Sequence, residues 1–172
     1  MRYFIVFVSS FFVSFLSYRL IIPRFKETGI VGKNMHSENK EEIPEMGGLM
    51  LVAGFSAGII MAIALHTFFD YFESVHLVSL LSVMSAIFII LMIGIFDDLI
   101  SMPQYIKAIM PVLAALPIMV IKQGSPYMEI PFLGKIDFGL FYILFFIPVE
   151  ITIGANAVNM LAGFNGLEVG LG

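Results

Sequence analysis

Apolar residues are grouped along the chain in long blocks that polar segments separate. Each block has about the length that a helix needs to cross a hydrocarbon core of about 30 Å. The five blocks are residues 3–22, 49–65, 77–96, 106–121 and 138–161. The pattern predicts an all-α integral membrane protein with about five transmembrane helices, forming a single membrane domain over residues 1–172.

The fourth polar connection, residues 122–137, differs from the others because it contains short β-prone pieces. These pieces lie around Phe132, Leu133 and Gly134. Short apolar runs with Gly or Pro at their ends are typical of hairpins. We therefore expect a small β-hairpin in the fourth loop, lying on the membrane surface.

The basic residues are distributed unevenly between the two sides of the predicted bundle. One side would hold Arg19, Arg24, Lys26, Lys33, Lys40 and Lys107, and the other Arg2, Lys122 and Lys135. Cytoplasmic loops carry an excess of Lys and Arg. This distribution predicts a multi-pass protein of the cell membrane, with its N-terminus outside and loops one, three and five in the cytoplasm.

The composition agrees with a membrane location. Apolar residues make up 59 % of the chain and charged residues 13 %, whereas soluble domains are about half apolar and a quarter charged. The net charge of −4 and the lack of a basic patch argue against a nucleic-acid partner. There is no cysteine, which excludes disulfides and thiolate metal ligands.

Two adjacent acids, Asp97 and Asp98, follow the third apolar block at an energetically unfavourable place. Acids are disfavoured at a helix C-terminus, and neighbouring carboxylates repel each other. A divalent cation or Lys107, at the same predicted edge, would offset both costs. An ordinary helix cap or turn at Asp98 remains the alternative.

Asn156 and Asn159 are three residues apart, so they share one face of the fifth predicted helix. Their amide oxygens are suited to a hard cation, and their amide groups to a phosphate. Interhelical hydrogen bonding is the alternative role of such residues. Gly163 and Gly166 then flank Asn165, which predicts a loop that a ligand can approach closely.

A third polar segment, Ile43-Pro44-Glu45-Met46-Gly47-Gly48, precedes the second predicted helix. By itself it is typical of a charged cytoplasmic loop. Together with the two motifs above, and in this order, it resembles the polyprenyl-phosphate N-acetylhexosamine-1-phosphate transferase family. The segment itself looks like the family's first cytoplasmic motif, Phe96-Asp97-Asp98 followed by Lys107 looks like its acidic motif, and the run Asn156–Gly170 looks like its Asn-rich motif. The resemblance runs over residues 32–172. The run Leu161-Ala162-Gly163-Phe164-Asn165-Gly166-Leu167-Glu168 is most similar to the archaeal and eukaryotic branch, which makes dolichyl-pyrophosphoryl-GlcNAc.

The resemblance implies transfer of a sugar-1-phosphate, GlcNAc-1-phosphate in that branch, from a UDP-sugar to a polyprenyl or dolichyl phosphate. UMP is released in this first membrane step of glycan assembly. It implies Mg²⁺, or Mn²⁺, as the cofactor and an active site on the cytoplasmic face. The implied catalytic residues are Asp97, Asp98 and Lys107; the implied metal ligands are Asn159 and Asp97; and the implied substrate-binding residues are Asn156, Asn165, Gly166, Leu167, Glu168 and Glu45.

The chain departs from the family pattern in its first motif, where Asn34 and Ser37 replace the usual Asp and Lys. The bacterial phospho-MurNAc-pentapeptide translocases, one alternative, usually have Asp at the positions of Ala162 and Asn165. A non-catalytic membrane relative is the other alternative, and a homodimer stays open. Glu150 matches no motif, and we expect it to be protonated or hydrogen-bonded between helices.

Family members continue past the Asn-rich motif with more helices, a further acidic metal ligand and a basic nucleotide-binding loop. We therefore expect this chain to be the N-terminal part of a longer transferase and to be inactive alone.

Overall fold

The computed structural model describes residues 2–33, 42–44, 46–72, 76–122, 124–130 and 134–161. Within these ranges the fold is mainly helical. The helices are α1 Arg2–Thr28, α2 Gly48–Phe69, α3 Leu77–Ile100, α4 Gln104–Ile109, α5 Val112–Val120, α6 Gly139–Phe141 and α7 Ile147–Leu161. A π-helical turn, Tyr142–Phe146, joins α6 to α7.

Two antiparallel strand pairs lie in the connections. Strand β1, Val31–Lys33, pairs with β2, Glu42–Pro44, ahead of α2. Strand β3, Tyr127–Ile130, pairs with β4, Gly134–Asp137, between α5 and α6. The second pair confirms the predicted hairpin of the fourth loop, whereas the first pair was not predicted.

Four helical segments of the described ranges are long and apolar enough to cross a membrane. They are Arg2–Thr28, Gly48–Phe69, Leu77–Ile100 and Gly139–Met160. The remaining predicted span corresponds to a shorter apolar segment, Gln104–Val120. The all-α membrane class is therefore confirmed, and one of its five helical segments is short and interrupted.

The outer surface of α1 carries large aromatic side chains that a water-soluble protein would bury. Phe7, Phe11 and Phe15 follow one another at helical spacing, and adjacent rings stack with centroids 6.2 and 6.1 Å apart. Phe7 is 65 % exposed and Phe11 61 % exposed. Contiguous exposed apolar surface of this kind fits contact with lipid or with another apolar surface.

Small residues allow α1 and α2 to pack closely against each other. A Cβ atom at Gly54 would lie 2.6 Å from the Ser14 Cβ and 2.8 Å from the Ser10 carbonyl oxygen. At Gly58 it would lie 3.2 Å from the Ser10 Cβ. Small residues at such crossings let helix backbones approach in a bilayer, so this contact fixes the distance between α1 and α2.

Helix α3 extends beyond the apolar block that predicts it. It ends at Ile100, so Asp97 and Asp98 lie in its last turns, beyond residue 96, where the predicted span ends. Ser101 terminates the helix in the left-handed region at φ 52°, and its N–H donates to the Asp97 carbonyl over 2.8 Å. An apolar block ends where the side chains change, but backbone hydrogen bonding continues until a residue leaves the helical conformation.

The segment predicted as the fourth span, residues 106–121, is divided into α4 and α5 at Met110 and Pro111. Pro111 has no N–H to donate to the carbonyl four residues earlier, that of Lys107. Backbone hydrogen bonds across the break run from Leu113 to Met110 and from Ala114 to Pro111, which tightens the turn. The apolar pattern could not show this interruption, because Met and Pro are both apolar.

Candidate active site

An ion pair links the end of α3 to the last turn of α4. The Lys107 Nζ lies 2.7 Å from the Asp97 Oδ1, and these side chains are 31 % and 23 % exposed. The same carboxylate oxygen accepts the backbone N–H of Met102 at 3.2 Å. Two donors therefore hold Asp97 in place, and partial burial protects the pair from screening by solvent better than a surface location would.

Short α4 brings Lys107 to this position. Pro103 precedes the helix, and its carbonyl accepts the N–H groups of Ile106 and Lys107. Only a tight turn, Ser101 to Pro103, separates α4 from α3. The chain consequently reverses direction within three residues, and the Lys107 side chain returns to the last turns of α3.

Asp98, the second acid, points to a different side of α3 because consecutive helical residues are about 100° apart. Asp98 is exposed as a residue, and the backbone N–H of Met46, ahead of α2, lies within hydrogen-bonding reach of its carboxylate. Met46 has a φ of 61°, in the left-handed region that non-glycine residues seldom adopt. The contact between Asp98 and Met46 thus connects the last turns of α3 to the residue that precedes the N-terminal end of α2.

Two cavities meet at these residues. A small one, of about 150 Å³, is lined by Asp97, Lys107, Asn156 and Asn159 among others. A larger and mainly apolar one, of about 500 Å³, runs between α2, α3 and α7 and includes Asp98 and again Asn159. The structure therefore brings both acids, the lysine and both asparagines to one end of the helices, as the sequence predicts.

The two asparagines differ in what they contact. The Asn156 Nδ2 donates to the Ala108 carbonyl at 3.0 Å and to the Thr152 carbonyl at 2.8 Å. Asn159 is exposed and lies where both cavities meet. Asn159 is thus available to a ligand, whereas the amide nitrogen of Asn156 is already used within the protein.

The donor set is suited to a hard divalent cation but is small. Mg²⁺ prefers oxygen ligands, and the Asp97 carboxylate and the Asn159 amide, which both line the small cavity, supply two of them. Within the described ranges, no three acidic or histidine side chains gather closely enough to hold a metal ion. The residues present therefore fit part of a magnesium site.

Other predicted site residues lie outside this group. Glu45, Asn165, Gly166, Leu167 and Glu168 lie outside the described residues, and so do Asn34 and Ser37. Their implied roles stay predictions. Glu150 is exposed in the first turn of α7 and forms no hydrogen bond or ion pair with the part of the chain that is described.

Two contacts of the site were missed by sequence reasoning. The Met46 N–H reaches Asp98, and the Asn156 amide reaches the Ala108 carbonyl. Both involve backbone groups, which every residue carries, so the sequence contained no specific signal for either. Only the position of Pro111 pointed to a helix with unsatisfied carbonyl groups nearby.

These features define the class as a multi-pass helical membrane protein with a charged polar site at one end of its helices. The model of Glycosyl transferase family 4 matches residues 80–172, which include the acid pair, Lys107 and both asparagines. The chain belongs to this family.

Three relatives illustrate the similarity. A Saccharolobus solfataricus protein, provisionally named a UDP-N-acetylglucosamine–dolichyl-phosphate N-acetylglucosaminephosphotransferase, is 38 % identical over 95 % of this chain and 48 % of its own length. The Dictyostelium discoideum protein of that name is 27 % identical over 94 % of this chain and 44 % of its own length. A Bacillus subtilis protein, provisionally named an undecaprenyl-phosphate N-acetylglucosaminyl 1-phosphate transferase, is 28 % identical over 95 % of this chain and 44 % of its own length. The chain spans about half the length of the curated relatives it matches.

Proposed function

We propose that the protein transfers GlcNAc-1-phosphate from UDP-GlcNAc to a polyprenyl phosphate of the dolichyl type and releases UMP. One observation carries the proposal beyond the family relationship: the Lys107–Asp97 ion pair faces the same small cavity as Asn156 and Asn159. The names of the relatives support the choice of GlcNAc and of a polyprenyl phosphate acceptor.

The reaction joins two anions, so charge and position matter more than covalent assistance. An oxygen of the lipid phosphate attacks the β-phosphorus of UDP-GlcNAc, and the bond from that phosphorus to the bridging oxygen of UMP breaks. A phosphate monoester has a second pKa near 6, so the nucleophile is largely deprotonated at neutral pH. The site therefore needs to bind and align two phosphate groups and does not need a strong base.

Lys107 supplies the positive charge that such a reaction needs. Its ammonium group lies against Asp97 at the cavity wall, where a substrate phosphate could approach it. In a partly buried site this charge stabilises the phosphoryl oxygens more strongly than it would in water. Asp97 keeps the ammonium group oriented, since it accepts one of its three hydrogens.

We propose Mg²⁺, or Mn²⁺, as the cofactor of this reaction. Asp97 and Asn159 would hold it, because both line the small cavity and offer the hard oxygen ligands that such a cation prefers, with Asp98 one residue further along α3. When bound, it supplies further positive charge to the pyrophosphate. Asn165 is proposed to bond the uracil edge, and Gly166, Leu167, Glu168 and Glu45 to contact the substrates, as the resemblance implies. The resemblance also implies a substrate contact for Asn156, but its amide nitrogen already donates to the Ala108 and Thr152 carbonyls.

The location of the site also fits the two substrates. A nucleotide sugar is water-soluble, whereas the acceptor has a long apolar tail that stays in lipid. Asp98 stands at the polar end of the larger cavity, whose other lining residues are mainly apolar. We propose that this end of the helices faces the cytoplasm of a cell membrane.

The test is a transfer assay on membranes of cells that express the gene in full length, because this chain alone is expected to be inactive, with UDP-GlcNAc labelled in the sugar, dolichyl phosphate and Mg²⁺. We expect label in an organic-soluble pyrophosphoryl lipid, one UMP released per lipid formed, and loss of both products with EDTA. UDP-MurNAc-pentapeptide serves as the competing donor. Transfer from that donor alone, or no lipid product above membranes lacking the gene, would overturn the proposal.

A further inference from the structure

The Asn156 amide forms hydrogen bonds to two helices, α7 and α4, close to Lys107. Both of its hydrogen-bond partners, Ala108 and Thr152, offer carbonyl oxygens, so only the N–H₂ end of the amide can face them. The bond to Thr152 stays within α7. The bond to Ala108 crosses to α4 and therefore links the helix that carries the asparagines to the helix that carries Lys107.

This link is formed beside the break in the fourth helical segment. Helix α4 ends at Ile109, and α5 begins at Val112, after Pro111. Regular helical hydrogen bonding stops between them, so the orientation of α4 is not dictated by α5. The Asn156 bond attaches the final turn of α4 directly to α7.

Lys107 and Ala108 are neighbours in sequence, so the backbone of Lys107 moves with the Ala108 carbonyl. The lysine is then held at both ends, by Asp97 at its ammonium group and by Asn156 near its main chain. Long lysine side chains have many rotamers. An anchor at the backbone reduces the region that the ammonium group can reach.

We infer that Asn156 is a positioning residue that acts through Lys107, by fixing the end of α4 against α7. The inference rests on the proposed transferase activity and goes beyond it, because it assigns to the Asn156 nitrogen a task other than substrate contact. A displacement of about 1 Å in a catalytic group can lower turnover by roughly 100-fold. Loss of the Asn156 donor should therefore be seen in kcat and much less in KM.

The experiment is a double-mutant cycle between Asn156→Ala and Lys107→Ala in the full-length protein, with kcat and KM for UDP-GlcNAc measured per mole of folded protein. Alone, Asn156→Ala should lower kcat by roughly 10- to 100-fold and change KM by less than about 3-fold. In the Lys107→Ala background the same substitution should change kcat by less than about 2-fold. Asn156→Asp, of the same size but without an amide donor, should repeat this pattern.

Thr152→Val is the matched control, one turn earlier on α7. It removes a hydroxyl that donates only to the Pro148 carbonyl and keeps the backbone carbonyl that Asn156 uses. We expect unchanged kcat in both backgrounds. Hydrogen exchange at Met110 and Leu113, the amides beside the break, should accelerate with Asn156→Ala and stay unchanged with Thr152→Val.

The outcomes separate this inference from the proposed function. No transfer by the unsubstituted protein would overturn the function. A large loss with Lys107→Ala, together with an equally large effect of Asn156→Ala in both backgrounds, would overturn the positioning role and keep the function. A change in KM alone would also overturn it, because that result assigns Asn156 to substrate binding.

Discussion

Lys107 and Asp97 come from different helices, yet the ammonium nitrogen of one lies 2.7 Å from a carboxylate oxygen of the other. A turn that contains Pro103 brings them together, and the Met102 N–H supports the same carboxylate oxygen. This pair is the charged centre of the proposed site. The first prediction addresses it directly.

Asp97→Asn should lower turnover by about 100-fold or more, because it removes a charge that orients Lys107 and a proposed metal ligand together. Turnover would be measured in membranes, with the protein amount fixed by quantitative immunoblotting. Glu129→Gln is the control, since it breaks the exposed 3.3 Å pair with Lys135 in the β3–β4 hairpin. We expect no change with the control. Equal turnover of both variants would remove Asp97 from the site.

Gly54→Ala should destabilise the protein, since the added Cβ would meet Ser14 and the Ser10 backbone at 2.6 and 2.8 Å. Contacts this short force the helices apart, which costs about 1–3 kcal/mol. Thermal unfolding in detergent would measure the loss. Gly154→Ala is the matched control because its Cβ would meet nothing within 4 Å. If both variants unfold at the same temperature, the α1–α2 contact is not tight.

Glu150→Gln should keep transferase activity. Glu150 is exposed in the first turn of α7, and it lies six residues from Asn156, so the two point to different sides of the helix. A neutral side chain of the same shape also lowers the cost of placing this position in lipid. Activity and recovery from membranes would be measured together. Normal recovery with lost activity would give Glu150 a functional role.

The orientation can be tested because the chain contains no cysteine. Glu27→Cys and Ser125→Cys place single thiols at exposed positions beyond opposite ends of the apolar segments and leave all Lys and Arg residues in place. In intact cells, an impermeant maleimide should label the Ser125→Cys variant and leave the Glu27→Cys variant unlabelled until the membrane is permeabilised. The opposite labelling would place the acid pair outside the cell.

The sequence was sufficient to predict the helices and the hairpin that depend on how apolar, polar and turn-forming side chains are distributed along the chain. Long apolar runs predicted α2 and α3 to within a few residues at their first positions, and turn-forming residues predicted the β3–β4 hairpin. The association of Asp97, Lys107 and Asn159 followed from a resemblance to known motifs. In each case, the signal lies in the identity of the side chains.

What the sequence did not show depends on the backbone. The continuation of α3 to Ile100, the interruption at Pro111 and the π-helical turn 142–146 all concern which carbonyl meets which N–H. The apolar character of the side chains carries almost no information about these backbone hydrogen bonds. The close contact of Ser10 and Ser14 with Gly54 and Gly58 is different, since small residues four apart on two helices are a signal that the sequence does contain.

The same small-residue contact bears on how the protein is made. Ser10, Ser14, Gly54 and Gly58 all belong to the first two long helices, so their interface is complete in sequence before α3 has been synthesised. Helices that are each stable in a bilayer associate after insertion, and chain segments fold in the order in which they are translated. The α1–α2 hairpin can therefore assemble first and provide a preformed surface against which the later helices pack.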